Sequence, residues 1–279
     1  MRFSTRCFLT VVLLASGAVA SAQDVDGVAE ADVTTQSGSR GVMVRPLGPG
    51  PYPAVLHMHG SGDIVADNVQ ILRLFARAGY VAMDIEYRRT AGGSIDIGDI
   101  QTSLQYLNGS RYVRSGVIGL NGYSLGARMA LLLAAREKVV ALSAIAARTT
   151  SMSNPTVLDQ AGRLTCPILL QHGTADSVVP FQDSVLLERK LRGLGRPVEL
   201  ISYPGANHGT LPWIGAAVAI VTIASTMRRK GVISGALDTG LNAVPFVGAA
   251  KNVLEVMRGR DFFPDRYGPG VTPPAVKSS

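Results

Sequence analysis

Three residues far apart in the chain have the types and order that nucleophilic acyl transfer requires. Ser124 lies in Gly122-Tyr123-Ser124-Leu125-Gly126, Asp176 in His172-Gly-Thr-Ala-Asp176, and His208 in Tyr203-Pro-Gly-Ala-Asn-His208-Gly209. A serine hydroxyl is a weak nucleophile at neutral pH. It needs a base to take its proton, and an imidazole base needs a carboxylate to hold its tautomer. Of the four histidines His57, His59, His172 and His208, only the last follows a loop carboxylate in the order serine, acid, histidine. The chemistry also needs donors for the oxyanion of a tetrahedral intermediate. The backbone N–H of Leu125, next after the nucleophile, is one candidate. The other is expected from Gly60-Ser61-Gly62, with Ser61 the first choice and Gly60 the second.

These residues can meet only if particular elements carry them. The run Gly116 to Asn121 reads as a strand and Ala127 to Arg136 as a helix, so Ser124 falls on a strand–turn–helix junction. Flanking glycines permit the sharp turn that lifts the hydroxyl above the sheet. Ala54 to His59 and Tyr80 to Ile85 read as buried strands, and so do Val139 to Ala146, Pro167 to Gln171 and Val198 to Tyr203. Helical spacing covers Asn68 to Ala78, Ile95 to Leu107 and Phe181 to Leu194. Val28 to Thr35 and Arg40 to Pro46 read as two strands joined by a turn at 36–39. Strands alternate with helices from residue 54 onward. This predicts an α/β fold, with a mostly parallel sheet and helices on both faces. In such a sheet the carboxyl ends of the strands face one crevice, where Ser124, Asp176 and His208 would converge.

Both ends of the chain depart from this pattern. Residues 1–22 combine a basic start, an apolar run from Cys7 to Val19 and the small-residue site Ala20-Ser21-Ala22. They read as a signal peptide, which makes the protein exported, periplasmic or secreted. Cys166 is then the one remaining thiol, and it begins an apolar run that suits a buried structural role. The formal charge of +7 resides mainly in the tail, where residues 228–279 hold eight Lys/Arg against four Asp/Glu. Export makes nucleic acid a poor partner for that charge, whereas an anionic membrane surface could engage it through residues 212–263. Gly209 to Met227 has no charged residue over 19 positions. A last helix covering the sheet is preferred there to a membrane span, because so many of its residues are small. Residues 229–263 read as a short helical appendage and 264–279 as a disordered tail.

The arrangement resembles the α/β-hydrolase superfamily, more narrowly its dienelactone-hydrolase-like branch. The residues that carry the likeness are His57-Met-His-Gly-Ser-Gly62, Asp84-Ile-Glu-Tyr-Arg88, Gly122 to Gly126, His172 to Pro180 and Tyr203 to Gly209, within a stretch from about 28 to 228. Dienelactone hydrolases use a cysteine nucleophile where this chain has Ser124. The resemblance therefore implies the α/β-hydrolase fold over 23–228 and an esterase-like serine hydrolase that needs no metal or organic cofactor. Its expected substrate is a small-molecule ester of short chain length. Only about twenty residues separate the strand ending near Ala146 from Cys166, so the cleft should be open. Glu86, Tyr87, Arg88 and Tyr123 are the candidate substrate contacts. A weaker likeness links 242–261 to the helical pre-toxin module of bacterial polymorphic toxins, through Pro245, Gly248, Lys251, Glu255, Gly259 and Asp261. Two other functions fit the same residues: a peptidase of prolyl-oligopeptidase-like type acting on small peptides, and a noncatalytic envelope-binding protein on a hydrolase scaffold.

Overall fold

The computed structural model describes residues 23–25, 27–88, 95–151 and 155–229, with side chains through 223. The expected signal peptide, the appendage beyond 229 with its pre-toxin-like segment, and the terminal tail lie outside these residues.

Nine strands form one mixed sheet: β1 (Gln23–Val25), β2 (Val28–Thr34), β3 (Arg40–Pro46), β4 (Tyr52–Met58), β5 (Val81–Ile85), β6 (Val113–Tyr123), β7 (Leu142–Ile145), β8 (Ile168–Gly173) and β9 (Val198–Tyr203). Their order is β1-β2-β3-β5-β4-β6-β7-β8-β9. The first three strands are antiparallel, and β3 joins β5 antiparallel. From β5 to β9 every pairing is parallel. The β2–β3 hairpin closes where the turn residues stand. Thr35 N–H donates to Ser39 O at 3.0 Å, and Gly38 takes φ +87°, a conformation that favours glycine.

Five helices cover the sheet: α1 (Val65–Arg77), α2 (Ile97–Gly109), α3 (Leu125–Ala134), α4 (Phe181–Gly193) and α5 (Leu211–Arg229). Alternation along each strand sends successive side chains to opposite faces. On β4, Ala54, Leu56 and Met58 belong to one core with Ile100 and Leu104 of α2, Leu131 of α3 and Leu187 of α4. Val55 joins the other core, with Ile71, Leu72 and Phe75 of α1 and Ala216, Ala219 and Ile220 of α5. Cys166 is buried and forms no disulfide.

α1 begins three residues before the apolar spacing predicts. One carboxylate from beyond β5 and one from the helix's own first turn satisfy the N–H groups at its start, which periodicity does not register. Glu86 Oε1 accepts from Val65 N–H at 2.8 Å, and Asp67 Oδ2 accepts from Ile64 N–H at 3.2 Å. β7 is shorter than expected at both ends, and at its carboxyl end Ala146 turns out of the strand at φ 53°. β1 carries too few residues to show a pattern.

The uncharged stretch is the sheet-covering helix α5. Its small residues have a packing reason. A Cβ at Gly215 would lie 2.6 Å from Ile145 Cδ1, and one at Gly119 would lie 3.2 Å from Ile223 Cγ2. Ile220 is wholly buried between α1 and the sheet, while Trp213 and Ile214 on the first turn remain about half exposed. Among the described residues no helix is long and apolar enough to cross a membrane.

Candidate active site

The parallel strands deliver their loops to one edge of the sheet, and the site is built there. β6 ends at Tyr123 and α3 starts at Leu125, so Ser124 alone makes the turn, with φ 54° and ψ −114°. A non-glycine residue in this region is strained and persists only where its surroundings enforce it. The Ser124 N–H donates to Ile145 O at 2.8 Å, which fixes the turn to β7. The flanking glycines are required by close approach. A Cβ on Gly126 would stand 2.0 Å from Met58 O, and one on Gly122 would stand 2.5 Å from Gly126 O. Backbone atoms cannot yield as a flexible side chain can. Gly126→Ala is therefore expected to destabilise the fold by about 3 kcal/mol, read as a fall in the urea midpoint. An unchanged midpoint would show that the elbow is not packed against β4 in this way.

Ser124 Oγ lies 3.0 Å from His208 Nε2, and His208 Nδ1 lies 2.7 Å from Asp176 Oδ2. The three residues come from the turn after β6, the loop after β8 and the loop after β9. The Asp176 side chain is wholly buried and fully engaged. Its Oδ1 accepts from Val178 and Val179 N–H at 2.9 and 2.8 Å. Burial alone would raise its pKa, but the His208 bond and the two N–H donors outweigh that and hold it below the usual carboxylate range. An ionised Asp176 bonded to His208 Nδ1 keeps the imidazole proton on that nitrogen, so Nε2 faces the serine as an acceptor.

His172, a residue with no role assigned from sequence, also reaches this carboxylate. Its Nε2 lies 3.3 Å from Asp176 Oδ2 and donates to Val179 O at 3.0 Å, while Nδ1 accepts from Ser184 Oγ at 2.7 Å. Burial pushes its pKa down, so it is a neutral buttress of the Asp176 loop. The four-residue spacing from His172 to Asp176 was the available signal, since a tight turn after a strand folds such a pair together.

The loop expected to supply an oxyanion donor follows β4. The two loop donors named from sequence differ: Gly60 N–H donates to Asp63 Oδ2 at 3.3 Å, whereas Ser61 stands exposed. Among the described residues no hydrogen bond takes up the N–H of Ser61 or of Leu125. Gly60 is instead a packing glycine, because a Cβ there would lie 2.9 Å from Tyr123 Cδ1.

Beneath the loop, His59 Nδ1 pairs with buried Asp84 Oδ2 at 3.0 Å, and its ring stacks on Tyr87 with centroids 4.1 Å apart. Burial opposes the charged imidazole, yet the Asp84 bond and charge prevail and raise its pKa. His57 sits between Asn121 and Asn68 at 2.9 and 3.4 Å. These two histidines belong to the scaffold.

The candidate substrate contacts are largely occupied by structural partners. Glu86 caps α1 through Val65 N–H. Arg88 grips Asp99, with Nε 3.0 Å from both carboxylate oxygens. The Tyr87 hydroxyl donates to His59 O at 3.0 Å, and the Tyr123 hydroxyl donates to His208 O at 3.0 Å. Arg88 is thus an anchor for its loop and Glu86 a helix cap. Neither pairing is visible in sequence, because the partners lie 11 and 21 positions away. Among the described residues no group of three or more His, Cys, Asp and Glu side chains is placed to hold a metal ion.

Comparison with known proteins agrees with this architecture. The sequence model of the dienelactone hydrolase family matches residues 86–212. An uncharacterized peptidase of Bacillus subtilis, YtmA, is 27% identical over 208 residues, which covers 61% of this chain and 80% of that protein. Among solved structures, an esterase of Pyrobaculum calidifontis superposes with TM-score 0.58 at 19% identity, over 75% of this chain and 88% of the esterase. The acylaminoacyl peptidase of Pyrococcus horikoshii gives TM-score 0.63 at 15% identity, over 76% of this chain but 43% of the peptidase. The chain has the α/β-hydrolase fold, its residues 86–212 are similar to the dienelactone hydrolase family, and these likenesses support a hydrolytic activity.

Proposed function

We propose that this hydrolase cleaves carboxylic esters of small, short-chain substrates through an acyl-enzyme on Ser124. The reading rests on the unbroken chain of hydrogen bonds from Asp176 through His208 to Ser124 Oγ, at 2.7 and 3.0 Å. Ser124 Oγ attacks the ester carbonyl carbon as its proton passes to His208 Nε2. The carbonyl oxygen becomes an oxyanion that accepts from Leu125 and Ser61 N–H. The tetrahedral intermediate collapses, the C–O bond to the alcohol breaks, and the imidazolium protonates the leaving alkoxide. A water then gives its proton to Nε2 and attacks the acyl carbonyl. Collapse of this second intermediate releases the carboxylic acid and returns the proton to Ser124 Oγ.

Small substrates are favoured because, among the described residues, little structure covers the site. Between β7 and β8 the described residues hold only one 3₁₀ turn, Ala161–Arg163. The start of that connection is strapped down to α4: Thr149 N–H donates to Asp183 Oδ2 at 2.7 Å, and Thr149 Oγ1 donates to Asp183 O at 2.9 Å.

Hydrolysis of nitrophenyl acetate beside nitrophenyl palmitate tests the reading, with acetate expected to be turned over far faster. Preference for palmitate would contradict it. The peptidase likeness makes an amide the natural control. A rate on an aminoacyl nitroanilide above that on every ester would move the assignment to peptide substrates. We further propose that residues 1–22 direct export. Fractionation of cells expressing the full chain should recover the activity outside the cytoplasm, and cytoplasmic retention would refute that part.

A further inference from the structure

We propose that Tyr123 is a positioning residue that locks the base, the oxyanion loop and the nucleophile's strand into one frame. The inference builds on the hydrolytic reading above.

His208 arrives on a loop with little support of its own. Pro204, Gly205, Asn207 and Gly209 are exposed, and the 3₁₀ turn His208–Thr210 has no side-chain cap. Two anchors hold the start of this loop: Gly205 N–H donates to Thr174 Oγ1 at 2.9 Å, and Ala175 N–H donates to Ala206 O at 3.1 Å. Both act before His208. At His208 itself the carbonyl accepts from the Leu211 N–H that closes the 3₁₀ turn and from the Tyr123 hydroxyl at 3.0 Å, the one side chain that bonds to it among the described residues. The donor belongs to the residue next to the nucleophile, so the base is referenced directly to the serine it must deprotonate. Burial and the charges of Asp63 and Asp176 push the Tyr123 pKa up to about 12, which keeps the hydroxyl a donor over the working range.

The ring does a second job. It lies over the His208 imidazole with centroids 5.1 Å apart at 38°, and against Gly60 so closely that a Cβ there would meet it at 2.9 Å. One side chain therefore touches both the base and the loop that carries Ser61. Displacement of a reacting group by about 1 Å can cost on the order of 100-fold in rate, so a side-chain anchor at this point has leverage on kcat.

Tyr123→Phe keeps the ring and removes the hydroxyl, whereas Tyr123→Ala removes both. In the full chain, Tyr123→Phe is expected to lower kcat for nitrophenyl acetate about 10-fold with KM within about twofold, the pattern of an interaction expressed in the transition state. Inhibition by a trifluoromethyl ketone, which forms a tetrahedral adduct, should weaken by a similar factor of about 10. Tyr123→Ala should lose a further factor of about 100, since the oxyanion loop is released as well. A raised KM at unchanged kcat would make Tyr123 a substrate contact and overturn the proposal. So would a lowered melting temperature with kcat and KM unchanged, which is the mark of a purely structural residue. Ser124→Ala, measured in parallel, separates the two levels of failure. If it is as active as wild type, the hydrolytic reading falls; if it is inactive while Tyr123→Phe is fully active, only the positioning role falls.

Discussion

Ser124→Ala lowers kcat for nitrophenyl acetate by at least about 10⁴-fold and leaves the folded protein intact. The size of the effect follows from the loss of the attacking atom itself. Among the described residues no other hydroxyl bonds to His208 Nε2, which has Ser124 Oγ at 3.0 Å. The oxyanion donors and the cleft survive, so a small rate above that of water persists, carried by binding and charge stabilisation alone. Stability should barely move. The strain at φ 54° belongs to any residue with a Cβ and is imposed by the Ser124 N–H bond to Ile145 O and by the packing of Gly122 and Gly126. Steady-state kinetics with thermal melting of both proteins checks the two halves together. A variant that keeps a tenth of the activity would remove Ser124 from the chemistry.

Asp176→Asn is expected to lower kcat by about 10⁴-fold, although the substitution is nearly isosteric. The reason is the direction in which the new amide must point. Asp176 Oδ1 accepts from two backbone N–H groups, at 2.9 and 2.8 Å, so the amide oxygen is obliged to take that place. The NH₂ then occupies the Oδ2 position and presents a donor to His208 Nδ1. The imidazole must answer with an unprotonated Nδ1, which moves its proton to Nε2, where the serine needs an acceptor. The same NH₂ also faces His172 Nε2 at 3.3 Å, and that nitrogen already donates to Val179 O. Loss of activity should therefore be accompanied by some loss of stability, read as a lower urea midpoint. Because a wrong tautomer is enforced, Asp176→Asn should rescue no activity relative to Asp176→Ala. Recovery of wild-type kcat in the asparagine variant would mean that the carboxylate does not set the histidine tautomer.

How much of this was readable in advance depended on whether a feature is local. The strand before Ser124 and the helix after it are written in apolar runs and bounded by glycines, and the structure has β6 and α3 in those places. The mostly parallel sheet follows from strands that alternate with helices, and it is observed from β5 to β9. Asp176 and His208 stand just past strand ends, so the topology alone brings them to the edge where Ser124 lies. What the sequence did not reveal are contacts between distant side chains. Glu86 looked like a residue of the cleft rim, but the first N–H of α1 claims it. Gly60 was a possible oxyanion donor until Asp63 accepted its N–H and the Tyr123 ring filled the space beside it. The spacing of His172 and Asp176 was the one signal of their link, and it was not enough, because what aims the carboxylate is its bonds from Val178 and Val179 N–H. Helix α5, uncharged from Leu211 to Met227, was legible for a physical reason: small residues that allow close packing on a sheet also lower mean hydropathy, which favours a sheet-covering helix over a membrane span.

The most direct test of the account is covalent labelling of the full chain with a fluorophosphonate, followed by intact-mass measurement and peptide mapping. A base-activated serine displaces fluoride and becomes phosphonylated, whereas ordinary serine hydroxyls do not react. The account predicts one adduct per chain, located on Ser124, with no labelling of Ser124→Ala and strongly slowed labelling of His208→Ala. An unlabelled wild-type chain, or an adduct on another residue that persists in Ser124→Ala, would contradict it.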